Sequence, residues 1–142
     1  MTDLLDVNVW LALADSDHTH HAVAREYWIE PGASEVAFCR VSMMGFLRLS
    51  THPKVLSTSP SILEAWNLYY QYRSNAHVVF LNEPPDFEAC LEKLTSAHSF
   101  VHRLWTDAHL AALAIASGSR LVSFDADFQT FEGLNFRHLT LP

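Results

Sequence analysis

The 142-residue chain is poor in cysteine, poor in basic residues and free of long apolar runs. Its two cysteines, Cys39 and Cys90, match neither a zinc spacing nor a disulfide framework, so both are expected as core residues in a reducing compartment. Its most apolar stretches, Val36 to Cys39 and Val78 to Leu81, fall far short of the roughly 20 residues that span a bilayer. The Met-Thr-Asp start does not read as a signal peptide, so a cytoplasmic protein with no membrane contact is expected. Repeats, low-complexity tracts and interdomain linkers are also missing, which leaves one domain over residues 1–142. Only nine Lys and Arg face 16 Asp and Glu, a formal charge of -7, which argues against broad attraction to nucleic acid because neutralising phosphates takes cations. A divalent ion held by gathered acids would reverse that potential locally.

What the chain does have is a 49% hydrophobic composition, enough for a normal core, arranged in alternating elements. Leu4 to Asn8 reads as a strand, and Val9 to Ala14 as a helix with Asn8 as its cap. A second helix runs toward Trp28 and is broken at Pro31-Gly32. Val36 to Cys39 is the next strand, followed by helices over Val41 to Ser50, with Ser42 as cap, and Ile62 to Tyr72. Ala76 to Leu81 is a third strand and Phe87 to Ala97 a further helix. Trp105 to Phe128, WTDAHLAALAIASGSRLVSFDADF, then reads as a helix capped by Thr106, a stop at Gly118, a buried strand and an acidic corner. A short helical turn over Phe128 to Phe131 and a strand over Phe136 to Leu141 finish the chain. This order specifies an α/β fold, a mostly parallel sheet of about five strands with helices on both faces.

Three carboxylates occupy telling places. Asp6 leaves a strand, Asp107 opens a helix and Asp125 leaves another strand. The carboxyl ends of parallel strands share one edge, where such folds bind ligands, so the three can meet there. Each also has an ordinary local role, as a turn acid or helix cap. Clustered carboxylates repel unless a cation compensates, which is the physical case for a metal.

Other features are weaker. His18, His20 and His21 lack the spacing of a helical zinc pair and read as a solvated helix start. Arg48 is the strong charge on its helix, a candidate contact for RNA or a partner protein and equally a surface arginine with a packed stem. The aromatics Trp66, Tyr69 and Tyr70, with Ile62, have the spacing of a core face. Gly45 inside a helix suggests a close backbone approach.

The segments LLDVNVWLALA, WTDAHLAALA and LVSFDADF together resemble the PIN-domain ribonucleases, especially bacterial toxins of the VapC type, and the likeness extends through DHTHHAVAREYW and GFLRLSTHP. The resemblance implies a three-layer PIN-like fold and an RNA-cutting enzyme using magnesium or manganese. Asp6, Asp107 and Asp125 would be the metal-binding catalytic acids, with Asn8 and Ser123 at supporting polar positions and Asp127 within reach through water. It also implies cleavage by water attack leaving 3′-hydroxyl and 5′-phosphate ends, a cognate antitoxin and a homodimer. The family's glutamate early in the third helix is replaced here by Met43, whose thioether is a poor ligand for hard cations. That replacement leaves a second expectation open, a PIN-like binding or regulatory subunit with weakened catalysis.

Overall fold

The computed structural model describes residues 1–30 and 35–142, so the break expected at Pro31-Gly32 lies outside the described residues. Five strands form one sheet: β1 (Thr2–Leu5), β2 (Glu35–Phe38), β3 (Val78–Phe80), β4 (Arg120–Ser123) and β5 (Phe136–His138). Their spatial order is β3-β2-β1-β4-β5, and every pairing is parallel. The chain thus builds outward from β1 to β3, returns to the other side of β1, and builds outward again. The reversal leaves a crevice at the carboxyl ends of β1 and β4.

Side chains alternate across a strand, so each strand feeds two cores. Leu4, Ala37 and Leu121 face one side and pack with α5 (Phe87–Thr95) and α6 (Trp105–Ser117). Leu5, Phe38 and Val122 face the other and pack with α1 (Val7–Ala14), α2 (His21–Ile29), α3 (Arg40–Ser50) and α4 (Ile62–Arg73). Three layers result, as the alternation of elements requires. Trp10 stacks on Phe38 with ring centroids 3.8 Å apart, anchoring α1 to the sheet. In α6, residues Leu110 to Ala114 are all buried, and three alanines at 111, 112 and 114 let this helix lie close against its neighbours.

Several local expectations change. Asp6, not Asn8, caps α1: the Val7 N–H donates to Asp6 Oδ1 at 2.7 Å, and the helix begins two residues sooner than its apolar pattern suggests. Ser42 is not the cap of α3 but lies one turn inside it, its Oγ accepting from the Cys39 N–H at 2.9 Å. Thr106 is not a cap either, because a 3-10 turn over His102–Leu104 runs directly into α6. Along α4 the buried residues are Ala65 and Tyr69, whereas Ile62 is 71% exposed and Tyr70 also faces outward. Gly118 ends α6 in the left-handed conformation, φ 68°, as a helix stop of this kind requires. The close approach expected at Gly45 is present, since a Cβ there would stand 2.7 Å from Val7 Cγ2. Cys39 is buried and Cys90 half-buried, both as free thiols.

Candidate active site

The crevice between β1 and β4 is lined by carboxylates from four points of the chain. Asp6 follows β1, Asp125 follows β4, Asp127 lies in the short 3-10 turn Ala126–Thr130, and Asp107 sits in the first turn of α6. Asp107, Asp125 and Asp127 each offer an oxygen within 4.8 Å of the others. Asp127, expected only as a remote helper, is therefore a full member of the cluster. Asp6, expected as a ligand with Asp107 and Asp125, falls outside that trio; it is tied to Asp125 through Ser123 and its charge acts on Asp107.

Ser123, fully buried at the end of β4, is the hub. Its Oγ donates to Asp6 Oδ2 at 2.6 Å and accepts from the Asp125 N–H at 2.9 Å and from Asn8 Nδ2 at 3.1 Å. A hydroxyl has one proton and two lone pairs, so these three bonds satisfy it. Asn8 reaches across from α1, its Oδ1 accepting from the Phe124 N–H at 3.4 Å. Asp125 Oδ1 accepts from the Asp127 N–H at 2.9 Å, an ordinary cap of the next turn. The everyday roles of these acids and their convergence thus coexist, since Asp125 and Asp127 each keep one oxygen for other use, while both oxygens of Asp6 already accept a bond, from the Val7 N–H and the Ser123 hydroxyl, and keep only their second lone pairs.

Electrostatics record the crowding. Asp107 is pushed up to about 6, first by burial and then by the charges of Asp6, Asp125 and Asp127, with Arg103 opposing. Burial and the charge of Asp125 also raise Asp6, while its bonds from Ser123 and Val7 pull the other way. The positive end of α6 beside Asp107 offsets only part of this repulsion. Arg103 Nη1 reaches Asp127 Oδ2 at 3.1 Å, an exposed pair that no sequence spacing announces.

The donor set fits a hard divalent cation. It consists of carboxylate oxygens within 4.8 Å of one another, and an octahedral ion of about 2.1 Å bond length holds neighbouring ligands about 3 Å apart, so the oxygens need to draw in by roughly 2 Å at most to hold one. Met43 adds no oxygen: it is buried in the core beside α1 and α4, with Arg40 Nη1 3.1 Å from its Sδ. The three histidines are not gathered as ligands. His18 Nδ1 accepts from the His20 N–H at 3.0 Å, His21 Nδ1 lies 2.7 Å from the Ala12 carbonyl, and the His20 ring tilts over Phe124. Arg48 does not join the acids. It lies in the last turn of α3, far along the helix from the carboxyl edge, beside Met44, Leu47 and Trp66 in an apolar groove.

Comparison with known proteins agrees with this geometry. The PIN domain model matches residues 4–134. A protein of Mycobacterium tuberculosis, "Ribonuclease VapC41", is 36% identical over 145 residues, covering 96% of this chain and 97% of that one. Among solved structures, VapBC2 from Rickettsia felis, bound to a DNA fragment from its promoter, superposes with a TM-score of 0.73 at 12% identity, covering 99% of this chain and 100% of the other. VapC20 of Mycobacterium tuberculosis, described as a sarcin-ricin loop cleaving toxin, gives 0.67 at 17% identity over 91% and 95%. With a matching model over most of its length and a near full-length relative at this identity, the chain belongs to the PIN-domain family.

Proposed function

We propose that this protein is the toxin of a toxin-antitoxin pair, an endoribonuclease that hydrolyses RNA phosphodiester bonds with magnesium or manganese held at the cluster of Asp6, Asp107, Asp125 and Asp127. The observation that carries this reading is the cluster of carboxylates at the β1–β4 crevice, with the Asp107, Asp125 and Asp127 oxygens within 4.8 Å. The near full-length relative named as a ribonuclease supports it. When bound, the cation supplies Lewis-acid polarisation of the phosphodiester and a water acidic enough to attack near neutral pH. Ser123 and Asn8 position Asp6 and Asp125 so that little reorganisation accompanies the reaction. Asp127 adds negative charge and Arg103 restrains it. No side chain acts as nucleophile, and the products carry 3′-hydroxyl and 5′-phosphate ends.

The antitoxin partner is supported by solved relatives described as VapBC proteins. Exposed apolar residues on α3 and α4, among them Met44, Ile62, Leu63 and Tyr70, offer it or a second copy of this chain a docking face, with Arg48 at its border. An antitoxin helix that lays a basic side chain on the acids would silence the site by neutralising it.

The test is cleavage of structured RNA by purified protein with manganese. Wild type should cut, chelation should stop cutting, and Asp6→Asn and Asp125→Asn should each abolish it while the proteins stay folded. Cutting that survives either substitution, or no cutting at all, overturns the reading. In the second case the buried thioether of Met43 favours a regulatory subunit, and recovery of activity in Met43→Glu would support that alternative.

A further inference from the structure

The chain has nine basic side chains and a formal charge of -7, so a ribonuclease built from it must place its few cations well. Three arginines are matched to acids: Arg120 to Asp3, Arg137 to Glu30 and Arg103 to Asp127. Arg40 and Arg73 are different. Both guanidiniums lie over one ring, that of Phe80, with Cζ atoms 4.6 and 5.1 Å from its centroid. Among the described residues neither is paired with a carboxylate. Each spends one N–H locally, Arg40 on Met43 Sδ at 3.1 Å and Arg73 on Tyr69 Oη at 2.7 Å, which leaves most of their donors unused. Both residues are exposed.

Their position matters as much as their charge. Phe80 closes β3 in register with Phe38 at the end of β2, and Arg40 follows Phe38 by two residues to open α3. In an all-parallel sheet this is the edge that carries Asp6 and Asp125. The edge is therefore divided, with acids over β1 and β4 and, over β2 and β3, the Arg40 guanidinium together with that of Arg73, which reaches the Phe80 ring from the last turn of α4. Neighbouring strands lie about 4.8 Å apart, so the halves are separated by the reach of a nucleotide or two. The same substitution that removes an oxygen from the site matters here as well. An acid at position 43 would lie against the Arg40 guanidinium and neutralise it, whereas the thioether leaves its charge available.

We propose that Arg40 and Arg73, splayed over Phe80, hold a backbone phosphate of the RNA strand next to the bond cut at the aspartates. The proposal rests on the ribonuclease reading. Guanidiniums suit the task because their planar N–H forks match phosphate oxygens, and the ring beneath keeps both in place before the strand arrives.

The test compares wild type with Arg40→Gln/Arg73→Gln and with Arg40→Lys/Arg73→Lys, using a labelled stem-loop RNA with a randomised loop and manganese. Wild-type cutting of this RNA first establishes the ribonuclease reading independently. The glutamine pair should then raise KM about tenfold or more with kcat little changed, and an RNA-binding titration against salt should show a slope smaller by about 0.7 for each phosphate no longer held. The lysine pair should recover most of the salt slope, which a purely structural role would not restore. A glutamine pair that folds, by thermal melting, and keeps the wild-type KM and salt slope overturns the proposal and leaves the two cations for an acidic protein partner. Absence of RNA cutting and RNA binding in wild type overturns the proposal together with the reading beneath it.

Discussion

The Ser123 hydroxyl donates to Asp6 Oδ2 across 2.6 Å, tying together two residues 117 positions apart at the crossover of the sheet. Ser123→Ala removes that bond and leaves the Asp125 N–H and Asn8 Nδ2 short of an acceptor in a buried place. Unfolding measurements should show a loss of about 1 to 3 kcal/mol. Manganese-dependent cleavage should fall by more than the stability change explains, because Asp6 and Asp125 lose a common support; an equal loss in both would assign Ser123 to the fold alone.

Asp107 should make the metal-free protein less stable as pH rises. Its folded carboxyl is raised from 3.8 to about 6, so the folded state holds that proton more tightly than the unfolded chain. The stabilisation is complete below about pH 4, is lost as pH climbs through 6, and stays lost above. Asp107→Asn in chelator should melt a few degrees higher than wild type near pH 7, since relief of burial and repulsion outweighs the small helix-end benefit of the charge. The same variant should lose the rise in melting temperature that manganese gives wild type.

Met43→Glu separates two consequences of one residue. The introduced carboxylate adds an oxygen donor on α3, so the manganese concentration needed for half-maximal activity should fall. It also pairs with Arg40, whose Nη1 now lies 3.1 Å from the sulfur, so KM for RNA should rise. Placing a carboxylate in a buried apolar site should also cost stability, by more than the roughly 1 to 3 kcal/mol of a neutral polar group to the extent that Arg40 does not compensate it. An unchanged manganese requirement would show that position 43 does not serve the acid cluster.

Gly45→Ala should destabilise, against the usual helix preference of about 1 kcal/mol for alanine. The new Cβ meets Val7 Cγ2 at 2.7 Å, and a β-branched side chain next to the α1 cap has little freedom to retreat. Adding Val7→Ala should recover much of the loss in a thermal melt. Failure to recover would place the strain in the backbone of α3 instead.

Asp3 supplies a control remote from the acids. It is buried at the start of β1, where Arg120 donates to both its oxygens at 2.9 and 2.8 Å and Tyr27 adds its hydroxyl. Asp3→Asn leaves a guanidinium without its counter-charge and should cost about 3 kcal/mol or more in urea unfolding. Below the new melting temperature kcat should stay near wild type, which distinguishes this edge of the sheet from the carboxyl edge.

The layered fold is legible in the sequence because the apolar runs and helical stripes alternate without interruption. Leu4, Leu5, Leu121 and Val122 carry that signal, and all are buried as a parallel strand requires. Helix starts are less legible where two capping residues stand close together: Asp6 and Asn8 both suit the role, and only the Val7 N–H decides between them. Along α4 apolar side chains surround the helix, so spacing alone does not tell that Tyr69 turns inward while Ile62 and Tyr70 turn out. Asp6, Asp107 and Asp125 are legible as acids sharing an edge. Spacing undervalues Asp127, because its place depends on the 3-10 turn that Asp125 caps, and it passes over Arg103, whose partner lies 24 residues away.

The placement of β1 in the middle of the sheet bears on how the molecule is made. A chain emerging from the ribosome can lay β2 and β3 against one side of β1 long before residues 120–123 exist. Until β4 docks, Asp6 lacks both the Ser123 hydroxyl that fixes it and the Asp125 carboxylate that follows β4. Catalytic competence is thereby deferred to the closing moments of synthesis, and a nascent fragment that stops short of β4 would be harmless to the cell producing it.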